Sequence, residues 1–360
     1  MKREIKKIAL VAGGTGGHIF PAISLGKWIE KNDEKVSVIF FCGNRNLEQD
    51  IYFSQGIKPI VLPVNGSPFF GSIKQKVNRS ANIIHAFFRA FTFLREEKPD
   101  FVLFFGGYIS FPVYFAAKLR PIPIATHEQN ACAGKVTRFL AKLHEPILSG
   151  FKVCMPLHQN NFTYTGVPIR EFDIMSRESA VGELGLPSEV LKCKIVLVLT
   201  GSLGSETIKN KLLSFVADEK FRDVQFILPA TSEKLEMAGR NVWLLPKIWK
   251  TELLFSIANV IIARAGASSL AEIESLKIPA IIIPWKEAKD NHQYYNACEF
   301  VKENEALLLR EDEIQDKLEI MLNEILQKTK IAHSIDEQSK ATFRVYNKIK
   351  TLVSGNNIVK

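Results

Sequence analysis

The sequence has few cysteines, and they follow no pattern that would let them act together. Its five cysteines are scattered over 360 residues, and none forms a C-x-x-C pair. This distribution disfavours a disulfide framework and a structural zinc site, and it is typical of a reducing compartment. Long hydrophobic runs are also missing, because the uncharged, mostly apolar run at residues 101–117 is interrupted by two glycines and a proline. We therefore expect no segment that crosses a bilayer.

Motifs for several common cofactors are missing as well. A glycine loop at residues 13–17 carries the first two glycines of a dinucleotide fingerprint, but Ile19 stands at the third position. The next predicted strand ends in Phe41-Cys42-Gly43-Asn44, without the acid that would bind a ribose. No Gly-Lys-Ser/Thr sequence closes a P-loop, and no Asp-x-Asp pair is present to clamp a metal. We expect no cofactor and no metal.

The charge is unevenly distributed along the chain. The net charge is +9, and residues 1–169 contain 21 Lys and Arg against 11 Asp and Glu, so the positive excess belongs to the first half. A one-sided positive field favours an anionic membrane surface, nucleic acid or a phosphorylated substrate. Nucleic acid is disfavoured, because no helix-turn-helix, zinc or RNA-binding signature accompanies the charge.

The hydrophobic pattern predicts an α/β protein with two Rossmann-like, doubly wound domains. The length exceeds that of one usual core, and apolar runs alternate with helical patterns. Strands are predicted near residues 7–12, 36–41, 59–62, 101–105, 122–126, 194–200, 224–229, 259–263 and 279–284. Helices are predicted near residues 19–31, 46–54, 75–96, 110–118, 133–142, 205–218, 249–257, 267–276 and 291–302. The predicted domains are 1–166, joined by a last helix at 337–356, and 167–336.

Two segments, residues 7–17 and 194–204, run an apolar strand through a glycine turn into a helix. The positive end and open N–H groups of such a helix attract phosphate. We expect an anion site in each domain, facing a shared cleft, with a tight turn that binds nothing as the alternative. His18 stands in the first helical turn, where it could accept a proton from a sugar hydroxyl or only cap the helix.

Three further segments carry polar groups at expected strand ends. Residues 263–272 place small residues at a helix start with Glu272 further along, which suits a diphosphate and a ribose, or plain helix packing. Residues 290–293 could bind sugar hydroxyls or cap a helix. Residues 127–130, His-Glu-Gln-Asn, place four hydrogen-bonding side chains at the carboxyl end of a strand, where ligands of α/β sheets bind.

Together these segments resemble the MurG family, the bacterial transferases that complete the lipid-linked peptidoglycan precursor. The resemblance covers nearly the whole chain and rests on motifs in this order: GGTGGHIFPA (13–22), FGGYIS (105–110), HEQN (127–130), GVPIR (166–170), GSLGS (201–205), ARAGASSLAEI (263–273) and KDNHQYYNA (289–297). It implies two domains of the GT-B glycosyltransferase type. It also implies UDP-N-acetylglucosamine (UDP-GlcNAc) as donor and a polyprenyl-diphosphate-linked N-acetylmuramyl-pentapeptide, lipid I, as acceptor.

The resemblance also implies the residues that contact each substrate. Donor contacts fall on Thr15, Gly16, Gly17, Asn130, Arg170, Ser202, Ile248, Ala267, Ser268, Ser269, Leu270, Ala271, Glu272 and Gln293. Acceptor contacts fall on Gly13, Gly14 and Tyr108. Ile248 would contact the uracil, Glu272 the ribose and Ser202 the diphosphate. Arg170 would offset the negative charge that builds up on departing UDP.

The implied reaction is displacement at the anomeric carbon of N-acetylglucosamine by the muramyl 4-hydroxyl, which inverts the α linkage to β. The reaction needs a base for the hydroxyl proton, and we favour His18, with Glu128 as the competitor. Two rivals remain. One is another enzyme on a similar frame, such as a nucleotide-sugar epimerase or a transferase with a different acceptor. The other is a non-catalytic module that binds sugar nucleotides or the cell envelope.

The lipid tail of such an acceptor stays in the bilayer, so the enzyme must reach the cytoplasmic face of the plasma membrane as a peripheral protein. The segment 79–95 carries Ile83, Ile84, Phe87, Phe88, Phe91 and Leu94 at helical spacing, beside Arg79, Arg89 and Arg95, and follows Phe69 and Phe70. We expect most of this stripe to lie in the core and part of it to touch lipid. The basic first half independently favours an anionic membrane surface.

Overall fold

The structure is a computed structural model that describes residues 4–66, 72–199, 210–212, 221–328 and 340–355, without the side chains of 74–76 and 328. Its contacts divide the chain into two compact units after Arg170. The sequence placed this boundary after residue 166. The C-terminal helix, Lys340–Gly355, belongs to the first unit.

The first unit is built on a parallel sheet with the strand order β3-β2-β1-β4-β5-β6-β7. The strands are β1 (Lys7–Ala12), β2 (Ser37–Cys42), β3 (Ile60–Val61), β4 (Phe101–Gly106), β5 (Ile124–Glu128), β6 (Ile147–Ser149) and β7 (Thr163–Tyr164). The helices are α1 (Gly16–Asn32), α2 (Asn46–Ser54), α3 (Ile73–Glu97), α4 (Ser110–Leu119) and α5 (Lys135–Lys142), with a 3-10 turn at Gln159–Asn161. The strand order reverses between β1 and β4, and ligands of open α/β sheets bind at the carboxyl ends of strands on either side of such a reversal.

Both faces of this sheet are covered. β1 and β4 are buried along almost their whole length, as expected for strands between two layers of helices. One face packs against α1 and the C-terminal helix, and the other packs against α3 and α4. At Gly26 in α1 an added Cβ would lie 2.3 Å from the Phe40 ring, so glycine allows the helix to pack directly on β2.

The C-terminal helix is anchored to the first unit by apolar and polar contacts. Its buried face, which includes Val345 and Ile349, belongs to the same core cluster as β1 and α1. The Tyr346 hydroxyl donates to Asp33 Oδ2 at 2.7 Å, and Arg344 Nε donates to the Thr165 carbonyl at 2.8 Å. These contacts explain why the chain returns to the first unit.

The second unit repeats this architecture with the order β10-β11-β9-β8-β12-β13-β14, parallel except for the β10 and β11 pair. Its strands are β8 (Lys194–Leu199), β9 (Val224–Leu228), β10 (Glu236–Met237), β11 (Val242–Leu244), β12 (Val260–Ala263), β13 (Ala280–Ile282) and β14 (Ala306–Leu308). Its described helices are α6 (Arg177–Glu183), α7 (Thr251–Ile257), α8 (Ala267–Leu276), α9 (His292–Glu303) and α10 (Ile314–Lys328), with 3-10 turns at Ser188–Lys192, Lys289–Asn291 and Glu311–Glu313. The order reverses between β8 and β12, so ligands are expected after these two strands.

The strands predicted from continuous apolar runs are present with small shifts at their ends. The predicted helix at 205–218 falls mostly outside the described residues. The sequence reasoning missed the short strands and two helices: β6, β7, β10, β11, β14, α6 and α10. Strands of two or three residues carry no measurable alternation. α10 did carry a usable signal, since Ile314, Leu318 and Leu322 recur at i, i+4 and i+8 and all are buried.

α3 is only partly a core helix. Of the six apolar residues in the predicted stripe only Leu94 is fully buried, next to Ala86 and Ala90, while Ile83, Phe87 and Phe91 are half-buried. Ile84 and Phe88 are 59% and 61% exposed, and they are spaced four residues apart on the outer face. Phe69 and Phe70 lie outside the described residues. Over the described parts of the chain, no helix is both long and apolar enough to span a membrane.

Candidate active site

The first glycine loop leads directly into α1. The helix begins at Gly16, and its N-cap residue, Thr15, makes no side-chain hydrogen bond to the helix. Gly14 has φ +96, a conformation that L side chains rarely adopt. The N–H groups of Gly16 and Gly17 lie at the carboxyl end of β1, where an anion can accept hydrogen bonds from them, while His18 N already donates to the Thr15 carbonyl at 3.1 Å.

A buried carboxylate stabilises this loop by accepting backbone hydrogen bonds. Glu48 in α2 is 3% exposed, and its Oε2 accepts a hydrogen bond from Gly43 N at 2.8 Å. The backbone of Gly14 also bonds to the Glu48 carboxylate, while Arg45 Nη1 donates to the Gly14 carbonyl at 3.0 Å. Burial raises the pKa of Glu48, and these backbone donors oppose that shift. Sequence reasoning missed Glu48, because an acid in a short helix after a strand looks like a surface residue.

The second glycine pair of this unit, Gly106 and Gly107, presses against the first loop. A Cβ on Gly107 would lie 2.5 Å from the Gly13 carbonyl oxygen, and a Cβ on Gly106 would lie 3.1 Å from the His18 ring. Both glycines have positive φ values, +107 and +84. The structure thus places Gly13 and Gly14 beside the turn that carries Tyr108, so the residues predicted to bind the acceptor lie in one region.

His18 lies in the first turn of α1, half-buried. Its Nδ1 lies 2.8 Å from Oε1 of Gln129, which follows β5. In the described part of the chain its other ring nitrogen, Nε2, has no hydrogen-bond partner. A group in this position can accept a proton through Nε2 while the contact at Nδ1 holds the ring.

Glu128, the competing candidate for the base, is fully engaged in hydrogen bonds. Its Oε1 accepts from the backbone N and from Nδ2 of Asn130, both at 3.1 Å. Its Oε2 accepts from Gly134 N at 2.8 Å and from Thr137 Oγ1 at 2.6 Å. The side chain is 4% exposed. This geometry suits a residue that orients Asn130 and the start of α5 better than one that collects a proton from a substrate.

His127, at the end of β5, is buried and neutral. It is 1% exposed, and its Nε2 donates to the Gly166 carbonyl at 2.9 Å. Burial lowers the pKa of His127 to about 4, and the contacts with Gly166 and Glu128 only partly oppose that shift.

We expect acid to destabilise the protein through His127. Its pKa is about 4 in the folded state and about 6.5 in an unfolded chain. The unfolded state therefore binds this proton more readily, and stability falls as the pH falls through that window. Between pH 7 and pH 5 the loss from this group is about 2 kcal/mol.

Denaturant unfolding of the wild type and His127→Gln at pH 7 and pH 5 measures this contribution. The stability difference between the two proteins should move by about 2 kcal/mol in favour of the variant at pH 5. A difference that stays constant with pH would contradict a neutral, buried His127.

The second unit presents a helix start at the end of β12. α8 begins at Ala267 with Gly266 as its N-cap, and Ser268 Oγ is buried with no hydrogen-bond partner among the residues that the structure describes. Asn296 Nδ2 donates to the Ala265 carbonyl at 3.0 Å and so holds the turn from the side of α9. Glu272 lies further along α8, half-buried. The first six residues of this helix are therefore the predicted run Ala267, Ser268, Ser269, Leu270, Ala271 and Glu272.

The remaining predicted residues have identifiable surroundings. Gln293 Oε1 accepts from Trp285 N at 3.0 Å, which links α9 to the loop after β13. The Arg170 guanidinium lies 6.0 Å from the centroid of the Phe20 ring in α1. Ile248 is half-buried in the segment before α7. Ser202 lies outside the described residues, as does the rest of the second glycine loop.

Comparison with known proteins defines the class. Residues 8–149 match the glycosyltransferase family 28 N-terminal domain, and residues 195–352 match the glycosyltransferase family 28 C-terminal domain. A crystal structure of MurG from Acinetobacter baumannii matches with a TM-score of 0.72 at 23% identity, covering 96% of this chain and 99% of that one. UDP-GlcNAc 2-epimerase from Neisseria meningitidis matches with a TM-score of 0.58 at 14% identity, covering 96% and 100%. The chain is a glycosyltransferase with two Rossmann-like domains of the GT-B type.

One relative carries the assignment further. The UDP-N-acetylglucosamine–N-acetylmuramyl-(pentapeptide) pyrophosphoryl-undecaprenol N-acetylglucosamine transferase of Halalkalibacterium halodurans is 33% identical over 320 residues, which cover 86% of this chain and 87% of that protein. The chain belongs to this family, the MurG family. The fold class, the enzyme class and the family resemblance predicted from the sequence are confirmed.

Proposed function

We propose that the protein transfers N-acetylglucosamine from UDP-GlcNAc to the 4-hydroxyl of the muramyl sugar of lipid I, forming lipid II and UDP. Membership of the family supports this reaction. The observation on this chain that carries it is His18, whose Nε2 is open in the first turn of α1 beside two touching glycine loops. The reaction inverts the α linkage of the donor to β.

We assign the donor mainly to the second unit. The start of α8 offers N–H groups and a positive helix end to the diphosphate. The buried Oγ of Ser268 is a further donor there, because it has no hydrogen-bond partner within the described part of the chain. Glu272 accepts from the ribose hydroxyls, and Ile248 contacts the uracil. The donor set is completed by Ser202, Ser269, Leu270, Ala271, Gln293, Thr15, Gly16, Gly17, Asn130 and Arg170.

We assign the acceptor to the first unit. Gly13, Gly14 and Tyr108 contact it, and the glycine loops offer backbone N–H groups to its diphosphate. His18 Nε2 takes the proton of the muramyl 4-hydroxyl as the new glycosidic bond forms and the bond to UDP breaks. Arg170 and the start of α8 balance the charge on the departing UDP.

An epimerase is the main rival on the same fold. The N. meningitidis epimerase is similar in fold only, at 14% identity, whereas the family relative is 33% identical. A binding module without activity is the second rival, and an open imidazole nitrogen beside the glycine loops favours catalysis over binding alone.

The test supplies lipid I together with radiolabelled UDP-GlcNAc and follows the label into the organic phase. The proposal expects lipid-linked label that depends on the acceptor. An epimerase would convert UDP-GlcNAc without lipid, and a binding module would return it unchanged. Either result would overturn the proposal.

We also propose that the protein docks peripherally on the cytoplasmic face of the plasma membrane. The positive excess of residues 1–169 favours anionic lipid. The outer face of α3 adds Ile84 and Phe88, both more than half exposed. Apolar side chains on a basic surface are the combination that binds a membrane interface.

Replacing Ile84 and Phe88 together by glutamate should weaken binding to anionic vesicles roughly tenfold or more, since each half-exposed side chain contributes about 1 kcal/mol or more on burial. Vesicle sedimentation measures this loss. Phe53→Glu is the matched control, because Phe53 in α2 is 55% exposed and should leave binding nearly unchanged. Equal losses in both proteins would contradict docking through α3. Vesicle binding of the wild type that does not change with salt concentration would contradict the electrostatic contribution to docking.

A further inference from the structure

A chain of hydrogen bonds runs from the Gly166 carbonyl through His127 and Gln129 to His18. The carbonyl determines which ring nitrogen of His127 carries the proton. The Gly166 carbonyl can only accept, so the proton of His127 lies on Nε2, 2.9 Å away. Burial keeps this histidine neutral, and its ring packs 5.4 Å from the centroid of Phe105. His127 Nδ1 is therefore without a proton and can act only as an acceptor.

The orientation of the next member, the Gln129 amide, follows from the same reasoning. Its Nε2 donates to the His127 carbonyl at 2.7 Å and lies 3.2 Å from the bare Nδ1 of His127. These two acceptors account for both protons of the amide nitrogen. The amide oxygen, Oε1, therefore points the other way, towards His18 Nδ1 at 2.8 Å.

We propose that Gln129 is a positioning residue that holds the His18 ring in the tautomer with its proton on Nδ1 and its lone pair on Nε2. An amide oxygen only accepts, so it selects this tautomer over the one that would block Nε2 with a proton. Gly106 contributes by leaving room for the ring, since a Cβ there would lie 3.1 Å from it.

The contribution of this arrangement to catalysis rests on the proposed function, in which His18 is the base. When Nε2 takes the hydroxyl proton, the ring becomes an imidazolium that still donates from Nδ1 to the Gln129 oxygen. No proton passes along the chain to Gln129 or His127. The hydrogen bond exists before and after the transfer, so the base needs no reorganisation during the reaction.

The tautomer can be observed directly by nitrogen NMR of protein labelled with ¹⁵N-histidine, with the His18 signals assigned from His18→Gln. The wild type should show a protonated Nδ1 and a bare Nε2 at neutral pH. A wild-type His18 with its proton on Nε2 would overturn the proposal without any further variant. Since this readout needs no activity, absent transferase activity with the expected tautomer would overturn the proposed function alone.

Two variants test the role of Gln129. Gln129→Leu keeps the approximate size and removes the acceptor, so His18 should lose its single tautomer and kcat should fall roughly tenfold or more with little change in KM for UDP-GlcNAc. Gln225→Leu is the matched control, since it removes a half-buried glutamine that accepts from Trp243 Nε1 at 2.8 Å in the second unit. An unchanged His18 tautomer in Gln129→Leu would overturn the proposal.

Gln129→Glu keeps the acceptor and guards against a simple folding defect in the leucine variant. It should keep the Nδ1 tautomer, and its carboxylate should stabilise the imidazolium form of the ring by charge attraction. The acidic limb of the pH profile would then move to higher pH, because the base form is lost earlier as the pH falls. The other charged groups near this network are Glu48 and Arg45, close to His18, and Glu128, close to His127. All three are the same in the wild type and in Gln129→Glu, so they do not contribute to the difference between the two pH profiles. An acidic limb that stays in place would contradict the contact between residue 129 and His18.

Discussion

Replacing His18 by alanine is expected to lower turnover about 10²-fold or more, because a positioned general base contributes roughly 10² to 10⁴-fold. UDP binding should persist, since the side chain contacts Gln129 and His18 is not among the proposed donor contacts. The loss should therefore fall on kcat while the KM for UDP-GlcNAc changes little. Steady-state turnover with lipid I, together with calorimetric titration of UDP, separates the two quantities.

The control for this variant is His158→Ala, which removes an exposed histidine from the same unit and should retain normal turnover. Near-normal turnover of His18→Ala would remove His18 from the role of base. Glu128 would then have to release Asn130 or Thr137 in order to accept a proton, because both of its oxygens are already occupied. The comparison therefore decides between the two candidates on a structural difference that the sequence could not reveal.

Much of the fold could be predicted because its central strands have a clear sequence pattern. β1, β4 and β8 are continuous apolar runs, as strands buried on both faces must be. Three of the four edge strands, β7, β10 and β14, could not be found in this way. β7 and β10 have two residues each, and their pairing depends on neighbours rather than on any pattern of their own.

The candidate site shows a similar division. The glycine loop and the polar tetrapeptide at the carboxyl end of β5 could both be located, because ligand-binding and catalytic residues in α/β folds lie at the carboxyl ends of strands. The contact between the two segments could not be predicted, since His18 and Gln129 are 111 residues apart in sequence and meet only because of the strand order β1-β4-β5. The different roles of Glu128 and Gln129 within the tetrapeptide also became visible only in the structure. Glu128 and Gln129 are equally polar in sequence, yet one is occupied by its own loop and the other reaches His18.

Gly107→Ala is expected to destabilise the first unit by about 2 to 6 kcal/mol and to raise the KM for lipid I. Two costs add at this position. A side chain at φ +84 is strained by about 1 to 3 kcal/mol. The new Cβ would also lie 2.5 Å from the Gly13 carbonyl oxygen, and forcing two backbones apart adds about 1 to 3 kcal/mol. Chemical denaturation measures the stability, and acceptor titration measures the KM.

The chain contains a position that isolates the strain from the overlap. Gly56, just after α2, has φ +71, and an added Cβ there would meet nothing within 4 Å. Gly56→Ala should therefore cost only the strain, about 1 to 2 kcal/mol, with normal use of lipid I. If both variants lost the same stability and kept the same KM, close packing of the two glycine loops would not be what shapes the acceptor site. A larger loss of stability at Gly107 would instead show that close contact with the Gly13 carbonyl requires glycine there, since both variants carry the same change in unfolded-chain entropy.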